Sequence, residues 1–262
     1  MLDAILLLKI GLAPLLILGA SIAGHRWGNT VSGWIVGFPL VSAPVILLLA
    51  LERGNEFAAV SAQGSLLGIV SLSTFSLAYA WLSLRRGLDW LPSMLLGWGV
   101  YFATTFVLGY ATVSIFAAFI VVAAWLRLVT RVFPEAHAPA KTAQGGFRWS
   151  DVAVRIIASV VLILAITEYA PALGPTLSGL LTPFPIYTSV MVASIHRRQG
   201  AASASQFVRG AIVSSYTPAL FWLIVGSTIV SWGIGFSYAL AIVTSTALHW
   251  VLLKTLLKNG AT

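Results

Sequence analysis

"WGNTVSGWIVGFP" at residues 27–39 and "LGPTLSGLLTPFP" at residues 173–185 are two copies of one motif. Offset by 146 positions, they share Gly28 with Gly174, Thr30 with Thr176, Ser32 with Ser178, Gly33 with Gly179, Phe38 with Phe184 and Pro39 with Pro185. The correspondence continues without a gap through Gly54 with Gly200 and Gly64 with Gly210, and more faintly to Phe75 with Phe221. A repeat governs how the rest of the chain is read, because each copy belongs to an equivalent structural unit.

What surrounds the motif is apolar. Of 262 residues, 59% are hydrophobic and 8% are charged, a balance that no soluble globular class shows. Runs of about 20 apolar residues, the length that crosses the hydrocarbon layer as a helix, recur from end to end. The chain has no cysteine, which excludes disulfides, thiol chemistry and cysteine metal sites. Its net charge of +8 reads as lysine and arginine marking one membrane face, so no nucleic-acid partner is expected. The first residues, Met1-Leu2-Asp3, lack a basic n-region, and the apolar run after them is expected to stay as a mature helix.

Hydropathy and helix breakers place nine spans near 3–24, 31–51, 57–84, 89–108, 111–131, 151–171, 177–196, 206–230 and 234–257. The expected fold is therefore an all-α polytopic membrane protein of about nine transmembrane helices. Residues 1–131 form a first repeat unit with one additional helix, 132–150 a polar linker and 151–262 the second unit. With the N-terminus outside and the C-terminus cytoplasmic, thirteen of the fifteen lysines and arginines fall on the cytoplasmic side, Lys9 and Arg53 being the exceptions. Five spans separate the starts of the two units, so the second enters the membrane the opposite way up, as an inverted-topology repeat. The expected location is the bacterial inner (plasma) membrane.

Inverted units with interrupted helices are how many secondary transporters build a site between their halves. The motif G-x-T-x-S-G-x4-F-P has chemistry to match. Its glycines permit irregular backbone or close helix approach, and Phe-Pro removes a backbone hydrogen bond inside a span. Freed backbone groups at membrane depth must meet protein, water or ligand. The candidate substrate-binding residues are accordingly Asn29, Thr30, Ser32, Gly33, Phe38 and Pro39 in the first copy. Thr176, Ser178, Gly179, Phe184, Pro185 and Tyr187 are their counterparts in the second. Positions that differ between copies, such as Val41 against Tyr187 and Ser42 against Thr188, are where substrate choice would reside. Packing of small residues and N-capping by Ser or Thr are the competing structural explanation.

Other polar residues are few. Glu168, just ahead of the second copy, is the candidate for binding a coupling ion, against the simpler reading of a solvated carboxylate. Lys9 and Arg155 align at the same offset and are expected to snorkel to the interface. His249 is expected to be neutral and structural. No phosphate loop, metal-binding pair or nucleophile elbow occurs, so no catalytic residues, metal or cofactor are expected. The expected function is a secondary transporter, or permease, for a small polar or anionic metabolite, working by alternating access around the paired motifs. The alternatives are a facilitator or channel, or a non-catalytic membrane subunit of a larger complex, with an intramembrane enzyme less favoured. Expected partners are the lipid bilayer, a small-molecule or ion substrate and further copies of the chain in a homo-oligomer.

Overall fold

A computed structural model of the protein describes residues 2–27, 38–135 and 149–259. Among them the chain is helical, with no strand. The order is α1 (Leu2–Trp27), α2 (Ser42–Arg53), α3 (Asn55–Arg85), α4 (Trp90–Leu108), α5 (Ile115–Val132), α6 (Trp149–Leu181), α7 (Ile186–Gln199), α8 (Ala201–Ser214) and α9 (Tyr216–Asn259). Five stretches are long and apolar enough to cross a membrane: Asn55–Arg85, Trp90–Leu108, Ile115–Val132, Trp149–Leu181 and Ala201–Leu252. Their outer surfaces carry Phe106, Val107, Phe116 and Ile120, each more than 60% exposed, which suits contact with lipid.

α3 is the centre. Two thirds of its apolar window (67%) is buried, against 22–33% for the other four stretches, and α4, α5, α6, α8 and α9 all pack on it. Its sequence explains the close fit to α6. Ser61, Gly64, Ser65 and Gly68 recur at three- and four-residue spacing and present one small-residue face. A Cβ on Gly64 would lie 2.5 Å from the Thr176 carbonyl oxygen, and one on Gly68 would lie 2.5 Å from the Pro183 ring. The fit is reciprocal, since a Cβ on Gly179 would collide with the Ser61 carbonyl. Polar contacts fasten the same face: Ser61 Oγ donates to the Pro175 carbonyl at 3.0 Å, and Ser65 Oγ lies 2.7 Å from Thr182 Oγ1.

Glycines and prolines set the breaks. Gly174 (φ 70°) interrupts α6 just before Pro175, and Gly233 (φ 74°) interrupts α9. Gly54 (φ 89°, ψ 168°) and Gly200 (φ 88°, ψ 175°) join α2 to α3 and α7 to α8, in a region of backbone space that only glycine enters freely. Gly54 and Gly200 are 146 positions apart, and so are Gly87 (φ 65°) and Gly233.

Several expected boundaries move. The helix begun near 151 breaks at Gly174, between the spans expected to end at 171 and to begin at 177, but its second segment runs only to Leu181, and the helical path stops at 182–185 before α7 begins. The span expected at 206–230 is divided at Ser215, because Pro218 has no N–H to offer the Ser214 carbonyl and its ring clashes with that group. Most of the linker expected at 132–150 lies outside the described residues. Lys9 and Arg155 both take protein partners. Lys9 pairs with Glu52 at 2.7 Å, and Arg155 is only 6% exposed.

Candidate functional site

The two Phe-Pro breaks meet. Phe38 and Pro39 enter α2, Pro183, Phe184 and Pro185 enter α7, and both groups line one cavity of about 110 Å³. Its lining follows the offset of 146 positions: Phe38 with Phe184, Pro39 with Pro185, Val41 with Tyr187, Ser42 with Thr188, Ile69 with Ser215 and Leu72 with Pro218. The remaining wall includes Trp222 from α9, which is 1% exposed.

Each break is braced by a helix from the other part of the chain. Phe184 sits against Trp98, Tyr101 and Phe102 of α4, with ring centroids 5.7, 5.2 and 5.3 Å away. Phe38 sits 5.5 Å from the His249 ring of α9. Trp98 Nε1 donates to Ser189 Oγ at 3.0 Å, and Tyr238 Oη of α9 donates to the Ala43 carbonyl at 3.1 Å. Ala43 and Ser189 are again 146 positions apart, so a ring on the far helix holds the same position of each break. His249 Nδ1 lies 2.7 Å from Thr217 Oγ1 in a buried pair, the structural role expected for it.

The cavity's polar character comes from helix starts and hydroxyls. α2 and α7 both begin at it, and neither has a side-chain cap. In α2 the Ala43 N–H already donates to the Pro39 carbonyl and Pro44 has no N–H, and in α7 the Ile186 N–H donates to the Phe184 carbonyl. What the two starts share at the cavity is therefore the positive end of the helix dipole. Ser42 (6% exposed) and Thr188 (8% exposed) stand in those first turns, and their hydroxyls have no hydrogen-bond partner among the described residues. A hydroxyl that lines the cavity can bond to water or to a polar ligand there. The serine hydroxyls that are buried without a partner among the described residues, at Ser159, Ser178, Ser203, Ser237 and Ser245, do not line the cavity.

The structure therefore divides the expected site. Phe38, Pro39, Phe184, Pro185 and Tyr187 come together around the cavity. Thr176, Ser178 and Gly179 do not line it; they lie on the segment of α6 that packs against α3. Asn29, Thr30, Ser32 and Gly33 lie outside the described residues. Glu168 is exposed and lines no described cavity. Ser42 and Thr188, named from the sequence as an aligned difference where substrate choice would reside, both line the cavity, and the hydroxyls that sequence reasoning passed over are Thr182, Ser214 and Ser215.

Beside this cavity runs a larger groove of about 810 Å³ between α4, α6 and α7. Trp90, Trp98, Val161 and Val190 are among its apolar walls, and Asp151, Arg197 and Arg198 gather at one end. Phe184 lines both spaces, so its ring is their common wall. No three acidic, cysteine or histidine side chains cluster to hold a metal among the described residues. No family model, curated protein or solved structure matches the chain.

Proposed function

We propose that the protein is an integral membrane transporter of a small polar or anionic solute, and that the cavity between the two Phe-Pro breaks is its transport site. The observation that carries this reading is the meeting of two helix starts without a side-chain cap, each bearing a hydroxyl at the equivalent position, Ser42 and Thr188, at one cavity. Packing alone accounts for the α3–α6 contact and leaves these groups unexplained. The matching glycine conformations, the paired cavity lining and the reciprocal bracing support two inverted units, residues 1–131 and 151–262, as the moving parts. Rocking one unit against the other would swing Phe38 and Phe184 on their proline bends and open the cavity to each side in turn. A volume of about 110 Å³ suits the occluded stage of that cycle.

A single cysteine at Thr188 tests the cycle, because the chain has no cysteine of its own. In sealed vesicles a small charged methanethiosulfonate reagent is expected to modify Thr188→Cys from either side. A bulky substitution at Trp222 that jams one conformation is expected to remove access from one side only. Simultaneous passage of the reagent through the protein would indicate a channel, and complete protection from both sides would reduce the cavity to a packing void.

A further inference from the structure

Arg155 is the most deeply buried arginine among the described residues, at 6% exposure on α6. Its Nε donates to the Asp151 carbonyl at 3.0 Å, and its guanidinium lies 5.0 Å from the centre of the Tyr187 ring. Among the described residues no carboxylate pairs with it. The two ion pairs among the described residues are Lys9 with Glu52 at 2.7 Å and Arg198 with Asp151 at 2.9 Å. These positions belong to the repeat. Lys9 corresponds to Arg155 and Glu52 to Arg198, each 146 positions apart. In the first unit the half-buried cation, Lys9, has its own acid. In the second, the position that would supply the acid holds Arg198, which draws the nearby Asp151 carboxylate to itself. Arg155 is left with the face of Tyr187, and a cation–π contact offsets only part of the cost of a desolvated charge.

Tyr187 is also a wall of the cavity, so one residue touches both the guanidinium and the space that Ser42 and Thr188 line. The polar side chains that line that space are the hydroxyls of Ser42, Thr182, Tyr187, Thr188, Ser214 and Ser215; Thr182, Ser214 and Ser215 already donate to backbone carbonyls, and no carboxylate lines the space. We propose that the solute carries an oxyanion of carboxylate or phosphate type, that Arg155 is its counter-charge, and that Tyr187 is the ring that moves aside to let them meet. This rests on the reading of the cavity as the transport site. It adds the sign and geometry of the solute's charge, since a guanidinium engages two oxygens of one oxyanion at once.

The test is thermal unfolding of the full-length protein in detergent. The probes are sodium acetate, phosphate and sulfate, compared with sodium chloride at equal ionic strength and with mannitol. Four proteins are compared: wild type, Arg155→Gln, Arg155→Lys, and Ser42→Ala combined with Thr188→Val. At least one oxyanion is expected to raise the wild-type midpoint beyond chloride, with acetate against phosphate showing which geometry is preferred. Its apparent affinity is expected to fall at least tenfold in Arg155→Gln and in the double variant. If Arg155→Gln does not fold, Arg155→Lys is read instead, and loss of the two-oxygen grip should weaken the same probe about three- to tenfold. No oxyanion effect in wild type, or full affinity in the Arg155 variant that is read, overturns the proposal. Stabilisation by mannitol that the double variant loses, without an oxyanion effect, would keep the cavity reading and remove the charge assignment. An oxyanion effect lost at Arg155 but intact in the double variant would put the anion elsewhere, and both readings would fall.

Discussion

Gly179 and Ser42 come from neighbouring parts of the same repeat, yet they do different things. Gly179 belongs to the first half of the motif, and its missing side chain lets α6 lie directly on the Ser61 carbonyl. Gly179→Ala and Gly64→Ala are therefore expected to destabilise by about 1–3 kcal/mol each, because backbone, not a flexible side chain, occupies the space the new methyl needs. Gly99→Ala on α4 is the control: nothing lies within 4 Å of the added carbon, and the change is expected to be neutral or to stabilise by up to about 1 kcal/mol. Thermal midpoints of the three variants check this, and equal effects at all three sites would refute the close packing. The pairing of Ser42 with Thr188 is visible in sequence as an aligned difference. That the two hydroxyls face one space is not, because the cavity depends on how far past each proline the next helix begins. Arg155 is hidden for a related reason. A cation near a span end ordinarily reaches water, and only the placement of Arg198 and Asp151 shows that this one is enclosed.

At the scale of helices, hydropathy sees apolar length and is blind to backbone direction. Gly174 and Gly233 fall in the gaps left between expected spans, at 171–177 and 230–234, whereas the break at Pro183 and Pro185 lies inside the apolar run expected as one span over 177–196, where a window average passes over it. Gly54 and Gly200 are the informative pair. Both adopt an extended left-handed-side conformation that costs about 1–3 kcal/mol for a residue with a Cβ, and each joins a short helix from the break to a helix of the core. Neither has a neighbour within 4 Å of a built Cβ, so substitution reports backbone strain without steric collision. Gly54→Ala and Gly200→Ala are expected to lower stability by about 1–3 kcal/mol, and by similar amounts in the two halves. A loss at one position with none at the other would mean that the shared angles are not a shared requirement, and the equivalence of α2 with α7 would lose its best support.

For the whole molecule, the proposed inversion makes a demand that no single element can meet or evade. Gly87, between α3 and α4, and Gly233, inside α9, occupy equivalent places in the two units, with φ of 65° and 74°. In a parallel repeat both turns would face the same side of the membrane; in an inverted one they face opposite sides. Charge already separates them. Arg85 and Arg86 flank the first turn, while Trp232 and Phe236 flank the second without a lysine or arginine nearby, as expected for a cytoplasmic and an outer turn. Arg86→Cys and Ser231→Cys place exposed thiols beside these turns in a chain with no other cysteine. In intact cells a membrane-impermeant maleimide is expected to label Ser231→Cys readily and Arg86→Cys only after permeabilisation. Labelling of both before permeabilisation, or of neither, would make the repeat parallel, and the two helix starts at the cavity could not then exchange access between the two sides. Opposite labelling would leave the cavity where alternating access requires it, between two units that see the membrane from opposite directions.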